Sequence, residues 1–145
     1  MIIYPADRQH YSEIISVWEA SVRATHHFLT EKEINFFRPL IVEQYLPAVN
    51  VYYLTDTNGK MMGFIGVAED NIEMLFIHPD YRRQGVGKQL LNYALKTLKA
   101  KFVDVNEQNQ QAVDFYLHMG FQVINRSETD GMGKPFPLLH LAYAR

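Results

Sequence analysis

Apolar residues along this 145-residue chain recur in two rhythms. Ile14, Ile15, Trp18 and Val22 fall at the spacing of one helix face, and Asp7 stands ahead of them as a cap. That pattern predicts a helix through about Ala24. Glu31 to about Leu46 reads as a second, less regular helix, broken near Pro39. Shorter apolar runs predict strands over Met1 to Tyr4, Val51 to Thr55, Met61 to Ala68 and Ile72 to Ile77. Asn58-Gly59 is the strongest hairpin signal, and Asp70-Asn71 marks the next turn. After Pro79, helical spacing returns with Val86, Leu90, Leu91, Ala94, Leu95 and Leu98. Phe102 to Asn106 predicts a strand. Asn109 then caps a helix whose buried stripe is Ala112, Val113, Phe115, Tyr116 and Met119, and Gly120 is suited to the position just past its end. Phe121 to Arg126 and Leu138 to Tyr143 complete the strands, around a polar loop with Gly131 and Gly133. Interleaved strands and helices predict a mixed α/β (α+β) fold.

The segment between the fourth strand and its helix carries the first candidate chemistry. Arg82-x-x-Gly85-x-Gly87 opens the helix, with Arg83 and Lys88 adding charge. The first turn of a helix has free N–H groups and the positive end of the dipole, so it receives anions. Glycine lets the backbone approach a ligand that a Cβ would hold off. The spacing alone arises by chance in roughly one chain in ten of this length, so its weight comes from the strand before it and the helix after it. A P-loop is excluded, because Arg82 and Gln89 stand where that motif needs Gly and Ser or Thr. A dinucleotide fingerprint is excluded too, since Leu90 occupies its third small position.

Three segments together resemble the GNAT superfamily of acyl-CoA-dependent N-acyltransferases. They are Leu75-Phe76-Ile77-His78-Pro79, then Arg82-x-x-Gly85-x-Gly87, then Asn109-x-x-Ala112-x-x-Phe115-Tyr116-x-x-x-Gly120-Phe121, and they occur in the family's order. The stretches Thr25-His26-His27-Phe28-Leu29 and Gly133-Lys134-Pro135-Phe136-Pro137-Leu138-Leu139 also look like a small bacterial branch of that superfamily. The resemblance implies one domain over residues 1–145, built on a mostly antiparallel sheet of about seven strands with splayed central strands and about four helices. It implies acetyl-CoA as co-substrate and a primary amine as acceptor, on a protein or a small metabolite. By the same resemblance Leu75, Phe76 and Ile77 contact the pantetheine arm through their backbone. Arg83, Gln84, Gly85, Val86, Gly87 and Lys88 cradle the pyrophosphate, and Asn109 bonds the CoA arm. Tyr116 is implied as the general acid toward the leaving thiolate. Asp104 is the candidate base, with Glu107 and His78 as rivals. The stretch containing His26 and Phe28 overhangs the acceptor pocket in that family. Adjacent histidines cannot share a helix face, so at most one is expected to line it.

Composition narrows the alternatives. A net charge of −2 offers no electrostatic footprint for nucleic acid. No apolar run reaches the ~20 residues of a membrane span, and the first residues lack a signal-peptide layout. With no cysteine there is no disulfide, thiolate metal site or acetyl-cysteine intermediate, so direct transfer in a ternary complex and a cytoplasmic setting are expected. No metal site is expected, as no histidine or carboxylate spacing suits one. A non-catalytic acyl-CoA-binding or sensing domain is the alternative function, and a protein-interaction module without a CoA site is a third.

Overall fold

The structure, a computed structural model, describes residues 2–144. Seven strands and four α-helices form among them. They divide into two compact units, the first ending at Ala100 and the second starting at Lys101.

In the first unit, β1 (Ile3–Pro5), β2 (Asn50–Thr55), β3 (Met61–Ala68) and β4 (Asn71–Ile77) pair antiparallel in that order. The first strand starts two residues later and ends one residue later than the expected Met1 to Tyr4, and Met1 falls outside the described residues. Asp7 caps a short 3₁₀ turn that leads into α1 (Tyr11–Thr25). The regular α-helix ends one residue past Pro39, and the expected break takes the form of a change of helix type rather than an interruption. Pro39 lies inside α2 (Glu31–Leu40), and the chain runs on through a π-helical turn, Ile41–Tyr45. Proline removes one donor, and widening the next turn redistributes the carbonyls that this leaves over.

β3 is buried along seven of its eight positions, because α1 and α3 (Val86–Lys96) both pack against it. This is why Met61 to Val67 is continuously apolar rather than alternating. Ile14, Val17, Trp18 and Val22 of α1 form the core with Ile34, Ile41, Val51, Met61 and Phe64. Burying each large apolar side chain contributes about 1.5–3 kcal/mol. Gly63 permits the closest approach. A Cβ there would lie 2.7 Å from Ile77 Cδ1, 3.0 Å from the Phe76 carbonyl oxygen and 3.2 Å from Val86 Cγ1.

In the second unit, β7 (Leu138–Tyr143) lies between β5 (Phe102–Asn106) and β6 (Phe121–Ser127), antiparallel to both. α4 (Gln110–His118) packs on β5 and β6, burying Val113 and Tyr116, while Val103 and Val105 turn inward from β5. Asn109 caps α4 by accepting from Ala112 N at 3.3 Å. Gly120, with φ 102°, turns the chain into β6. Between Val123 and Asn125 the β6–β7 register slips by one residue, leaving Ile124 as a bulge.

Candidate functional site

The loop that opens α3 is built for close approach by a ligand. Arg83 and Gly85 both adopt left-handed backbone conformations, with φ of 62° and 78°. For a non-glycine residue this costs about 1–2 kcal/mol, so the loop stores strain at Arg83. Gly85 is the N-cap and supplies no side-chain cap, leaving the first-turn N–H groups of α3 to whatever the loop receives. A Cβ at Gly85 would meet nothing within 4 Å, so space lies in front of the loop. Val86 is 1% exposed and anchors the helix in the core, so it can serve a ligand only through its backbone. Arg83, Gln84 and Lys88 are exposed.

Arg82, rather than Arg83 or Lys88, carries the informative side chain. Its Nη2 is buried and has no hydrogen-bond partner among the described residues. A buried guanidinium N–H left unpaired costs more than a neutral donor, and an anion in this loop would satisfy it. The loop's entry is braced from the hairpin. Tyr81 donates its hydroxyl to Asp56 Oδ2 at 2.7 Å, and Asp56 Oδ1 accepts from Asn58 N and Lys60 N. The Tyr81 bond holds the Asp56 carboxyl below its usual range and raises the Tyr81 phenol.

Leu75, Phe76 and Ile77 are half-buried on β4, opposite Ile65, Phe64 and Gly63. The Phe76 ring stands 5.7 Å from Phe64, so its side chain is a packing group, as the sequence suggests. It also stands 6.1 Å from His26, which stacks on Phe28 at 5.2 Å. The first unit thus brings His26 beside the strand expected to bind pantetheine, with Phe28 packed on His26. His26 is half-buried and His27 exposed. Burial, with His27 adjacent, pushes the His26 imidazole down to about 4, so it is neutral near pH 7.

In the second unit Tyr116 is 5% exposed, packed edge-on between Phe115 and Phe121. Burial raises its phenol above the ordinary value, so it remains a hydroxyl. The two rival bases are already engaged. Glu107 holds Arg126 through both oxygens, at 2.6 and 3.0 Å. His78 Nδ1 accepts from Asp80 N at 3.1 Å. Asp104 is exposed on β5, and its Oδ1 lies 2.6 Å from His140 Nδ1. His140 Nε2 in turn lies 2.6 Å from Ser127 Oγ, a continuation that no local motif announces. Asp130 in the β6–β7 loop accepts from Met132 N and Lys134 N, so it shapes that loop. Among the described residues no group of three or more His, Asp or Glu is placed to hold a metal ion.

A family model described as an acetyltransferase (GNAT) domain matches residues 29–136. The peptidyl-lysine N-acetyltransferase YjaB of Salmonella typhimurium is 41% identical over 134 residues, covering 90% of this chain and 90% of the relative. The solution structure of apo-form YjaB from Escherichia coli superposes with a TM-score of 0.88 at 37% identity, over 99% of each chain. The PaiA N-acetyltransferase of Thermoplasma acidophilum, solved in complex with coenzyme A, matches with a TM-score of 0.75 over 99% of this chain and 100% of its own. At 20% identity, that likeness shows the fold alone.

Proposed function

We propose, for a chain that belongs to the GNAT acetyltransferase family, the transfer of an acetyl group from acetyl-CoA to the side-chain amine of a protein lysine. Acetyl-CoA-dependent N-acetyl transfer is what the family membership establishes. The lysine acceptor is supported by the name of the YjaB relative. The observation that carries the reading is the anion-ready loop: a buried, unpartnered Arg82 Nη2 next to left-handed Arg83 and Gly85.

In this reading residues 1–145 act as one acetyltransferase domain. The pyrophosphate lies against the N–H groups from Gly85 to Lys88, with Arg82 beneath it. Arg83, Gln84 and Lys88 contribute from solvent, where screening limits their worth. The pantetheine arm pairs with the backbone of Leu75, Phe76 and Ile77. Asn109, whose carboxamide oxygen caps α4, contacts the same arm. His26 and Phe28 bound the acceptor pocket, and neutral His26 does not repel a cationic amine.

Proton accounting assigns the remaining roles. A lysine amine with pKa near ~10.4 is about 99.9% protonated at pH 7, and making it nucleophilic costs about 4–5 kcal/mol. Asp104 is the carboxylate that draws that proton off. At the leaving group, Tyr116 donates a hydrogen bond to the thiolate. A thiolate of pKa ~8.5 cannot keep a proton from a phenol raised above ~10, so Tyr116 stabilises the sulfur while the nitrogen's second proton ends there. A chain without cysteine fits direct attack in a ternary complex and a cytoplasmic setting.

The test is calorimetric titration with acetyl-CoA, using Gly87→Glu as control, followed by acetylation of a lysine peptide. Binding lost in the control and transfer to the peptide are expected. Binding without transfer to any amine would favour a sensing domain, and no binding would sink the reading.

A further inference from the structure

Asp56 stands at the start of the Asn58-Gly59 turn and divides its carboxylate between two tasks. Oδ1 accepts from Asn58 N at 2.8 Å and from Lys60 N at 2.9 Å, which shapes the turn around left-handed Gly59. Oδ2 lies 2.7 Å from the Tyr81 hydroxyl. A carboxylate can only accept, so the phenol donates, and a bond to an ionised acceptor is roughly twice as strong as a neutral one. Tyr81 ends the 3₁₀ turn Pro79–Tyr81, which hands the chain from β4 to the anion loop.

Bonds at the entry to that loop are long by comparison. Arg82 N reaches the Pro79 carbonyl at 3.5 Å, and Gln84 Nε2 reaches the Asp80 carbonyl at 3.5 Å. Both lie at the weak end of the range. Yet the loop keeps a costly shape. Arg82 is extended, with φ −66° and ψ 153°, and Arg83 after it is left-handed. Arg82 Nη2 is buried with no hydrogen-bond partner among the described residues. A left-handed residue other than glycine and an unpaired buried donor both raise the free energy of this arrangement. A contact from outside the loop has to hold it, and the short bond from Asp56 arrives one residue before Arg82.

We propose that Asp56 is a positioning residue for acetyl-CoA: acting through Tyr81, it keeps the anion loop in the shape that receives the pyrophosphate, so the turn between β2 and β3 is the outer support of the donor site. The inference rests on the acetyl-CoA reading of the loop and deepens it, because Asp56 works without touching the ligand. The coupling is reciprocal, so bound acetyl-CoA steadies the turn as the turn steadies the loop.

The experiment separates the two halves of the donor. Acetyl-CoA carries the diphosphate, and acetyl-pantetheine carries the same thioester without it. Tyr81→Phe removes the donor of the brace, and Asp56→Ala removes its acceptor. Each should raise the acetyl-CoA dissociation constant about five- to tenfold by calorimetry. The double variant should be weaker than the weaker single by less than about twofold, because both changes delete one bond. Asp56→Asn, which keeps an oxygen for the turn, should lose less than Asp56→Ala. In transfer to a lysine peptide, kcat/KM for acetyl-CoA should fall with the affinity, while kcat/KM for acetyl-pantetheine stays within about twofold. Amide exchange at Asn58 and Lys60 should slow when acetyl-CoA is added to wild type and not when it is added to Tyr81→Phe. Tyr81→Phe decides the matter where Asp56→Ala does not fold. Unchanged acetyl-CoA affinity in Tyr81→Phe, equal loss on both donors, or additive losses in the double variant would overturn the brace alone. A wild type that binds no acetyl-CoA would overturn the reading of the loop and the brace with it.

Discussion

Replacing Gly63 with alanine tests how tightly the anion loop is anchored. The added methyl would meet Ile77 Cδ1 at 2.7 Å, the Phe76 carbonyl oxygen at 3.0 Å and Val86 Cγ1 at 3.2 Å. The Ile77 methyl can swing aside. The carbonyl cannot move freely, because Phe76 sits in the β3–β4 ladder opposite Phe64. Val86 is the first residue of α3, so relief on that side displaces the start of the anion-binding helix. Inserting a methyl into such a contact costs about 1–3 kcal/mol. For a domain of this size about 2 kcal/mol lowers the melting temperature by roughly 4–8 °C. Thermal unfolding followed by circular dichroism reads this directly. Gly131→Ala is the control, since a Cβ there meets nothing within 4 Å. Calorimetry should also show weaker acetyl-CoA binding in Gly63→Ala. A melting temperature within about 1 °C of wild type, with unchanged acetyl-CoA affinity, would refute the packing argument.

Two further predictions concern the chemistry and its electrostatics. Tyr116→Phe should lower turnover at least about tenfold and leave acetyl-CoA affinity within about twofold, in steady-state assays paired with calorimetry; unchanged turnover would remove Tyr116 from the mechanism. His26 is held near 4 by burial, below its ordinary ~6.5. The unfolded chain therefore binds a proton first, and stability present above about pH 6.5 is lost as pH falls toward 4, by up to about 3 kcal/mol. His26→Gln should flatten the melting temperature against pH across that window, and parallel curves for the two proteins would show that His26 is not responsible.

The elements whose ends carry local chemistry are legible in the sequence itself. Asn109 and Gly120 bracket α4 because a capping side chain and a left-handed exit are demands of single residues. Met61 to Ala68 and Leu138 to Tyr143 match their strands end to end. Pro39 marks where the regular α-helix gives out, but no nearby residue signals that a π-helical turn carries the chain on. In the anion loop, counting charges favours Arg83 and Lys88, but only burial distinguishes Arg82, and burial is a property of the packed unit. Gly63 is hidden inside an apolar run, as its necessity comes from residues more than ten positions away. The Asp104–His140–Ser127 line is half legible. Asp104 stands out by alternating with two valines, but its partners arrive through strand pairing, which local sequence does not show.

The bulge at Ile124 also bears on how such a chain can change over generations. Removing that one residue would straighten the ladder and leave its pairs as they are: Val123 would still face Leu141, Asn125 would still face His140 and Ser127 would still face Leu138. The strand can therefore lose one residue without turning Ser127 to the other face. Among related chains, the number of residues in β6 can differ by one while the same side chains meet across the sheet, so strand pairing is the better guide to which positions correspond.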